Sequence, residues 1–347
     1  MKVVAYSEPR KLEVREVPEP APGVGEVVLS VAYCGICGSD LHEYVAPAQQ
    51  PSPRAMGVWQ PVMGHEFSGV VTAVGEGVDG LAEGDAVAVH PGAPCGECYF
   101  CRSERSNLCP TPSGSGTGYG EPGAYAEYVR IRATQAVRLP DSSWLKPAAL
   151  SEPLGVALHA LNRGALQPGE RVFIAGGGPI GLLALLGARH LGAGTTVLSE
   201  PAATRRELAS ALGAAVVVDP AGGAPAKARA ETSGLGCDLA VECVGIPLAM
   251  ADCIAATRRG GRIVVAGAFD RPFSLDLLQT LLQEHSVIGS FGYANELEEA
   301  TRLIVTGAID VAPVISHTVS LDDLPDVFEQ LASDRDSGQK VLVRPGG

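Results

Sequence analysis

Residues 171–193 read RVFIAGGGPIGLLALLGARHLGA, and this run decides the fold. RVFIAG is a short apolar run that stops at three consecutive glycines, the pattern of a buried strand entering a tight turn. PIGLLALLGARHLGA then reads as a helix. Gly176, Gly178 and Gly181 match G-x-G-x-x-G, with Pro179 and Ile180 in the two places before the last glycine. Alone that pattern is weak. Set between a strand and a helix, it reads as a dinucleotide-binding turn. Gly176 permits the turn, Gly178 lets the backbone approach a pyrophosphate, and Gly181 lets the helix pack close to the strand. The helix N-terminus offers amide donors to the phosphates.

Glu200 ends the next strand-like run, nineteen residues beyond Gly181. An acid there binds the adenosine ribose hydroxyls and favours NAD over NADP. Arg205 and Arg206 follow it, and an arginine in that place accommodates a 2′-phosphate. From 154 to 289, strand-like runs (RVFIAG, TTVLSE, AAVVVD, LAVECVG, GRIVVAG) alternate with helix-like ones (AATRRELASALGA, PLAMADCIAATRRG). That alternation predicts an α/β domain, a doubly wound Rossmann parallel sheet with crossover helices. Residues 1–153 have another texture. Short valine-rich runs such as GEVVLSVAY and GVVTAVGEGV lie between Gly- and Pro-rich turns, which predicts short, mostly antiparallel strands and long loops. After residue 290 come two helices, NELEEATRLIVTG and LDDLPDVFEQLAS, and a closing strand, KVLVRP. The Pro-rich stretch 43–62 reads as an irregular loop, either a pocket wall or plain surface.

A chain of 347 residues exceeds one ordinary core, so two domains are expected. With 46% hydrophobic and 19% charged residues it has a globular composition. A net charge of -13 argues against a nucleic acid or an acidic membrane as partner. It fits a soluble cytoplasmic enzyme acting on a small molecule. The N-terminal MKVVAYSEPRKLEVREV has no long apolar core, so no secretion signal is read there. Val172–Leu186 is too short and Gly-rich to span a bilayer. The nine cysteines are therefore expected as reduced thiols or metal ligands.

Four of them, Cys95, Cys98, Cys101 and Cys109, fall within fifteen residues as CGECYFCRSERSNLC. Four thiolates suit a closed tetrahedral zinc that pins a loop and does no chemistry. An iron–sulfur cluster is the rival, and visible absorbance would reveal it. A second, scattered set comprises Cys37 and His42 in CGICGSDLH, His65 and Glu66 in GHE, and Glu152 before the Rossmann domain. Mixed Cys, His and Glu ligands from distant loops suit a catalytic zinc with an open position.

Together GICGSDLHEY at 35–44, GHEFSG at 64–69, the four-cysteine lobe, GAYAEYV at 123–129, EPLGVALHA at 152–160, GGGPIG and SEP at 199–201 resemble the zinc-dependent medium-chain alcohol dehydrogenases over nearly the whole chain. SDLHEY, SEPAATRRELA and VECVG look most like the 2,3-butanediol branch, with sorbitol and L-threonine dehydrogenases as cousins. The resemblance implies a GroES-like domain over 1–153 and 290–347 holding two Zn2+ per subunit, and a Rossmann NAD domain over 154–289. It implies that Cys37, His65 and Glu152 hold the catalytic zinc, with Glu66 behind them or exchanging with them. Ser39 and His42 match the relay that carries the alcohol proton to solvent. Cys34 is a bystander. It implies a homodimer or homotetramer with sheets joined edge to edge. Gly155 departs from the serine common in EPLSV. Two other readings are weaker. A non-catalytic zinc and NAD sensor would be free to lose Cys37, Ser39, His42, His65 or Glu152, and a zinc-free reductase should lack the cysteine lobe and the GHE pair. All of these features are present.

Overall fold

The computed structural model describes residues 1–45, 61–110, 116–269, 271–334 and 339–346. Most of the loop read over 43–62, and part of the loop at 110–120, lie outside them. The chain divides into two compact units, Met1–Glu152 with Leu297–Gly347, and Pro153–Glu296. The second boundary falls seven residues later than the expected 290. Glu296 explains the shift, because its Oε1 lies 2.9 Å from His159 Nδ1 and accepts from Asn162 Nδ2 at 3.2 Å.

The first unit contains β1 Lys2–Glu8, β2 Lys11–Glu16, β3 Glu26–Gly35, β4 Glu66–Val74, β5 Ala86–Val89, β6 Tyr128–Arg132 and β7 Ala136–Arg138. The second contains β8 Val172–Ala175, β9 Thr196–Ser199, β10 Val216–Val218, β11 Cys237–Glu242, β12 Thr257–Val265 and β13 Ser286–Gly289. β14 Ile315–Val319 and β15 Lys340–Val343 return to the first unit.

In the first unit β1 and β2 form a hairpin, and a larger sheet runs β14-β15-β3-β4-β5-β7 with β6 also paired to β3. β3 is its centre. Val27, Leu29 and Val31 alternate inward and pack with Phe67, Tyr125, Val129 and Phe328 in the core. The antiparallel β3–β4 register sets Gly35 opposite Glu66 and Cys34 opposite Phe67. β15 pairs with β3 so that Leu342 faces Gly35. The last strand of the chain thus lies beside the strand that leads to Cys37.

In the second unit all six strands are parallel, in the order β10-β9-β8-β11-β12-β13. Every residue of β8, β9 and β11 is buried, as a sheet covered on both faces requires. The order reverses between β8 and β11, and ligands of such sheets bind at the strand C-termini beside that point. The alternating pattern foretold the first five strands of this sheet. It did not foretell the helix Ala224–Ala230, the helix Leu277–Gln283 or the edge strand β13. Among the described residues, no helix is long and apolar enough to cross a membrane.

Candidate metal and dinucleotide sites

β3 delivers Cys37 to the head of the helix Gly38–Val45, and β4 begins with Glu66 just after His65. One ligand atom from each of Cys37, His65 and Glu66 lies within 4.8 Å of the others. Glu152 is outside that cluster. It is near enough to feel the charges of His65, Glu66, Lys340 and Asp40, and burial pushes its carboxyl up to about 7. A thiolate, an imidazole and a carboxylate converging in a buried place are a borderline-soft donor set that fits zinc.

Two residues that sequence reading passed over hold this cluster. Asp40 is buried, and its Oδ2 accepts from the Cys37 amide at 3.0 Å and the Tyr125 hydroxyl at 2.7 Å. Its Oδ1 lies 3.5 Å from His65 Nδ1, too long for a good hydrogen bond but close enough to orient the ring. Burial opposes the charge on Asp40, yet His65 and these donors outweigh it and hold the carboxyl below its ordinary value. Burial likewise disfavours charge on His65, and Asp40 and Cys37 overturn that, pulling the imidazole well above its ordinary value. Tyr119 stacks on the ring at 4.5 Å. The second overlooked residue is Lys340 of β15. Its Nζ donates to Glu66 Oε2 at 2.6 Å, Glu66 Oε1 at 2.8 Å and the Ile36 carbonyl at 2.9 Å. All three ammonium protons are used. Gly35 is required here, since a Cβ on it would fall 2.1 Å from Glu66 Oε2.

Ser39 and His42 stand three apart on the helix Gly38–Val45, which places them on one face; Ser39 is exposed and His42 half-buried. Cys34 is fully buried and burial pushes its thiol well up, so it remains a packed thiol.

The other four cysteines form the second cluster. Sulfur pairs lie at 3.5 Å (Cys98–Cys101, Cys95–Cys109), 3.8 Å (Cys98–Cys109) and 3.9 Å (Cys95–Cys101). Zinc bound at about 2.3 Å by four thiolates needs tetrahedral edges of about 3.8 Å, so the spacing fits. The Glu97 and Cys98 amides hold the Cys95 thiol down at about 6, toward the ligand form.

In the second unit, the turn after β8 has the predicted form. Gly176 has φ +101°, and Pro179 starts the helix Pro179–His190. A Cβ on Gly181 would lie 1.9 Å from the Gly176 carbonyl oxygen, so only glycine lets helix and strand meet. Glu200 is buried beside this turn, its Oε2 accepting from the Gly177 amide at 2.6 Å and its Oε1 from the Ala202 amide at 2.9 Å. Arg206 is turned away, bonded to the Glu200 and Pro201 carbonyls and paired with Asp219 at 3.1 Å. Arg205 reaches the mouth of the turn, its Nη1 3.9 Å from where a Gly178 Cβ would be.

Fold and sites define a zinc-binding, nucleotide-dependent oxidoreductase. Residues 23–141 match the alcohol dehydrogenase GroES-like domain and residues 179–306 the zinc-binding dehydrogenase domain. Sorbitol dehydrogenase of Bacillus subtilis is 33% identical over 99% of this chain and 97% of that protein. (R,R)-butanediol dehydrogenase of Neisseria gonorrhoeae is 31% identical, covering 99% of each. A zinc-binding dehydrogenase from Sinorhizobium meliloti, solved with NADP, superposes with TM-score 0.88 at 34% identity and 99% coverage of both chains. The chain belongs to the zinc-dependent medium-chain alcohol dehydrogenases, enzymes that use zinc and a nicotinamide cofactor.

Asp40→Asn keeps the shape but removes the charge that faces His65. It is expected to weaken zinc retention at the Cys37–His65–Glu66 site about 10- to 100-fold, read by chelator competition, while the cysteine lobe keeps its metal. Unchanged retention would remove Asp40 from the site.

Proposed function

We propose that this enzyme interconverts a secondary alcohol, a vicinal diol of the 2,3-butanediol type, with its ketone, using NAD and two zinc ions per chain. The observation that carries this reading is the cluster of half-buried Cys37 with buried His65 and Glu66, whose ligand atoms converge within 4.8 Å. The similarity to butanediol and sorbitol dehydrogenases supports an alcohol or polyol as substrate class. A polyol of the sorbitol type or L-threonine is the second reading, and a non-catalytic sensor a distant third.

A bound zinc would polarise the substrate hydroxyl as a Lewis acid, and the nicotinamide ring would exchange hydride with the carbinol carbon. The chain's residues do the rest. Asp40 orients the His65 ring, and Lys340 fixes the Glu66 carboxylate. Ser39 accepts the hydroxyl proton as it gives its own on to His42, which hands a proton to solvent, a route supported by their shared helix face. Glu66 is favoured over Glu152 as the third protein ligand, because only Glu66 brings an oxygen to Cys37 and His65. Glu152, with its carboxyl near 7, then serves the second hydroxyl of a diol. NAD is our reading of Glu200, because an acid at the end of this strand pairs with the adenosine ribose hydroxyls and repels a 2′-phosphate. The four-cysteine lobe takes the second zinc as a closed structural site. Two identical chains are proposed to join at the edge strand β13 and the helix Leu277–Gln283 that precedes it, whose Leu277, Leu278, Leu281 and Leu282 are all more than half exposed.

Three outcomes test this. A panel of 2,3-butanediol isomers, sorbitol, threonine, ethanol and benzyl alcohol should show one butanediol isomer ahead in kcat/KM by about tenfold, with NAD preferred to NADP and that preference weakened by Glu200→Ala. A lead for sorbitol or threonine would move the substrate to the second reading. Glu66→Gln should empty the mixed site of zinc, whereas Glu152→Gln should keep zinc and lose turnover; the reverse result would make Glu152 the ligand. Leu278→Lys with Leu282→Lys should yield monomers by light scattering, and an unchanged mass would refute the β13 interface.

A further inference from the structure

Glu242 is a buried carboxylate that the chemistry above leaves unused. It ends β11 with no exposed surface. Its Oε1 accepts from the amides of Val244 at 2.9 Å and Gly245 at 2.8 Å. Its main-chain carbonyl accepts from the amides of Ala266 and Gly267, both at 2.9 Å. One residue therefore ties together two loops, 243–246 after β11 and 266–268 after β12.

The loops touch through backbone. Gly245 has φ +82°, and a Cβ on it would lie 2.2 Å from the Ala268 carbonyl oxygen. A Cβ on Gly267 would lie 2.3 Å from the Gly245 nitrogen and 2.5 Å from Glu242 Oε2. That second oxygen makes no hydrogen bond of good geometry. Burial pushes the carboxyl above its ordinary value, although the amides of Gly245, Val244, Gly267 and Ile246 oppose that. A carboxylate in such surroundings is costly unless it organises something.

Its place in the sheet shows what. The strand order reverses between β8 and β11. On the β8–β9 side stand the glycine turn and Glu200, which suit a pyrophosphate and an adenosine. The Cys243 amide joins the loop after β11 to the Ala175 carbonyl of β8 at 3.0 Å. A dinucleotide crossing the reversal from the glycine turn passes onto the ends of β11 and β12, where the two loops lie.

We propose that Glu242 is a positioning residue for the nicotinamide half of the cofactor. Its carboxylate holds loop 243–246 against the end of β11, where its main-chain carbonyl holds loop 266–268, and so it shapes the surface on which that half rests. The inference rests on the reading of this sheet as a nicotinamide dinucleotide site.

The test compares 5′-AMP, which probes the adenosine half, with NADH, which probes both halves, by calorimetry on the full chain. Glu242→Leu strips the acceptor from two amides. It should weaken NADH binding about tenfold or more and leave 5′-AMP within about twofold, with faster amide exchange at 243–246 but not at 176–181, while the 266 and 267 amides keep the main-chain carbonyl of residue 242 as acceptor. Glu242→Gln keeps a carbonyl acceptor and should restore NADH binding to within about threefold of the parent. If the leucine variant does not fold, Gly267→Ala wedges the same loops apart and should show the same selective loss. Parallel loss of both ligands, no loss of either, or a glutamine variant as weak as the leucine variant would overturn the proposal. A parent chain that binds neither probe would overturn the dinucleotide reading itself.

Discussion

A buried lysine ammonium governs the first unit. Removing an ammonium and a carboxylate from water costs several kcal/mol for each ion, and their attraction offsets this only with good geometry and every donor used. Lys340 meets that condition with its three bonds to Glu66 and the Ile36 carbonyl. The consequence is positional. Ile36 precedes Cys37 and Glu66 follows His65, so one side chain from the last strand fixes both peptide segments that present the ligands. Gly35 is small because Glu66 lies over it. The C-terminal segment returns to the first unit and supplies the counter-charge without which Glu66 would be an uncompensated buried anion.

The two candidate metal clusters would solve different problems. The cysteine lobe draws its four sulfurs from one short stretch, so local chain geometry brings them together, and a closed site there would staple a segment with little core of its own. The mixed site draws on β3, β4 and, through Lys340, β15. Its ligands are placed by the sheet register and by carboxylates behind them, the arrangement expected where metal geometry must leave room for substrate. The second unit follows the same logic, with Glu200 bonded to the glycine turn and Glu242 to the loops across the strand reversal.

What the sequence made legible follows from how local each signal is. The glycine turn, Glu200 and the four cysteines are read over windows of a few to thirty residues, and the structure groups the four sulfurs and sets Glu200 beside the glycine turn. Cys37, His65, Glu66 and Glu152 were all legible as candidates, but only three-dimensional distances show that Glu66 and not Glu152 lies within 4.8 Å of Cys37 and His65. Lys340 gave no local signal, because it lies 274 residues from the carboxylate it serves. Asp40 was hidden differently, inside SDLH between two residues already assigned a role. β13 and the helix Leu277–Gln283 were missed because four exposed leucines in seven residues do not follow the pattern of a helix packed on its own core.

Zinc in a mixed sulfur, nitrogen and oxygen site held by Lys340 and Asp40 is the proposal on which the rest turns, in addition to any zinc in the cysteine lobe. Zinc-edge X-ray absorption on the metal-replete protein tests it most directly. Sulfur at about 2.3 Å together with nitrogen and oxygen at about 2.0–2.2 Å is the expected result. A shell of sulfur alone would mean that only the four-cysteine lobe binds metal and that the mixed site is not a metal centre.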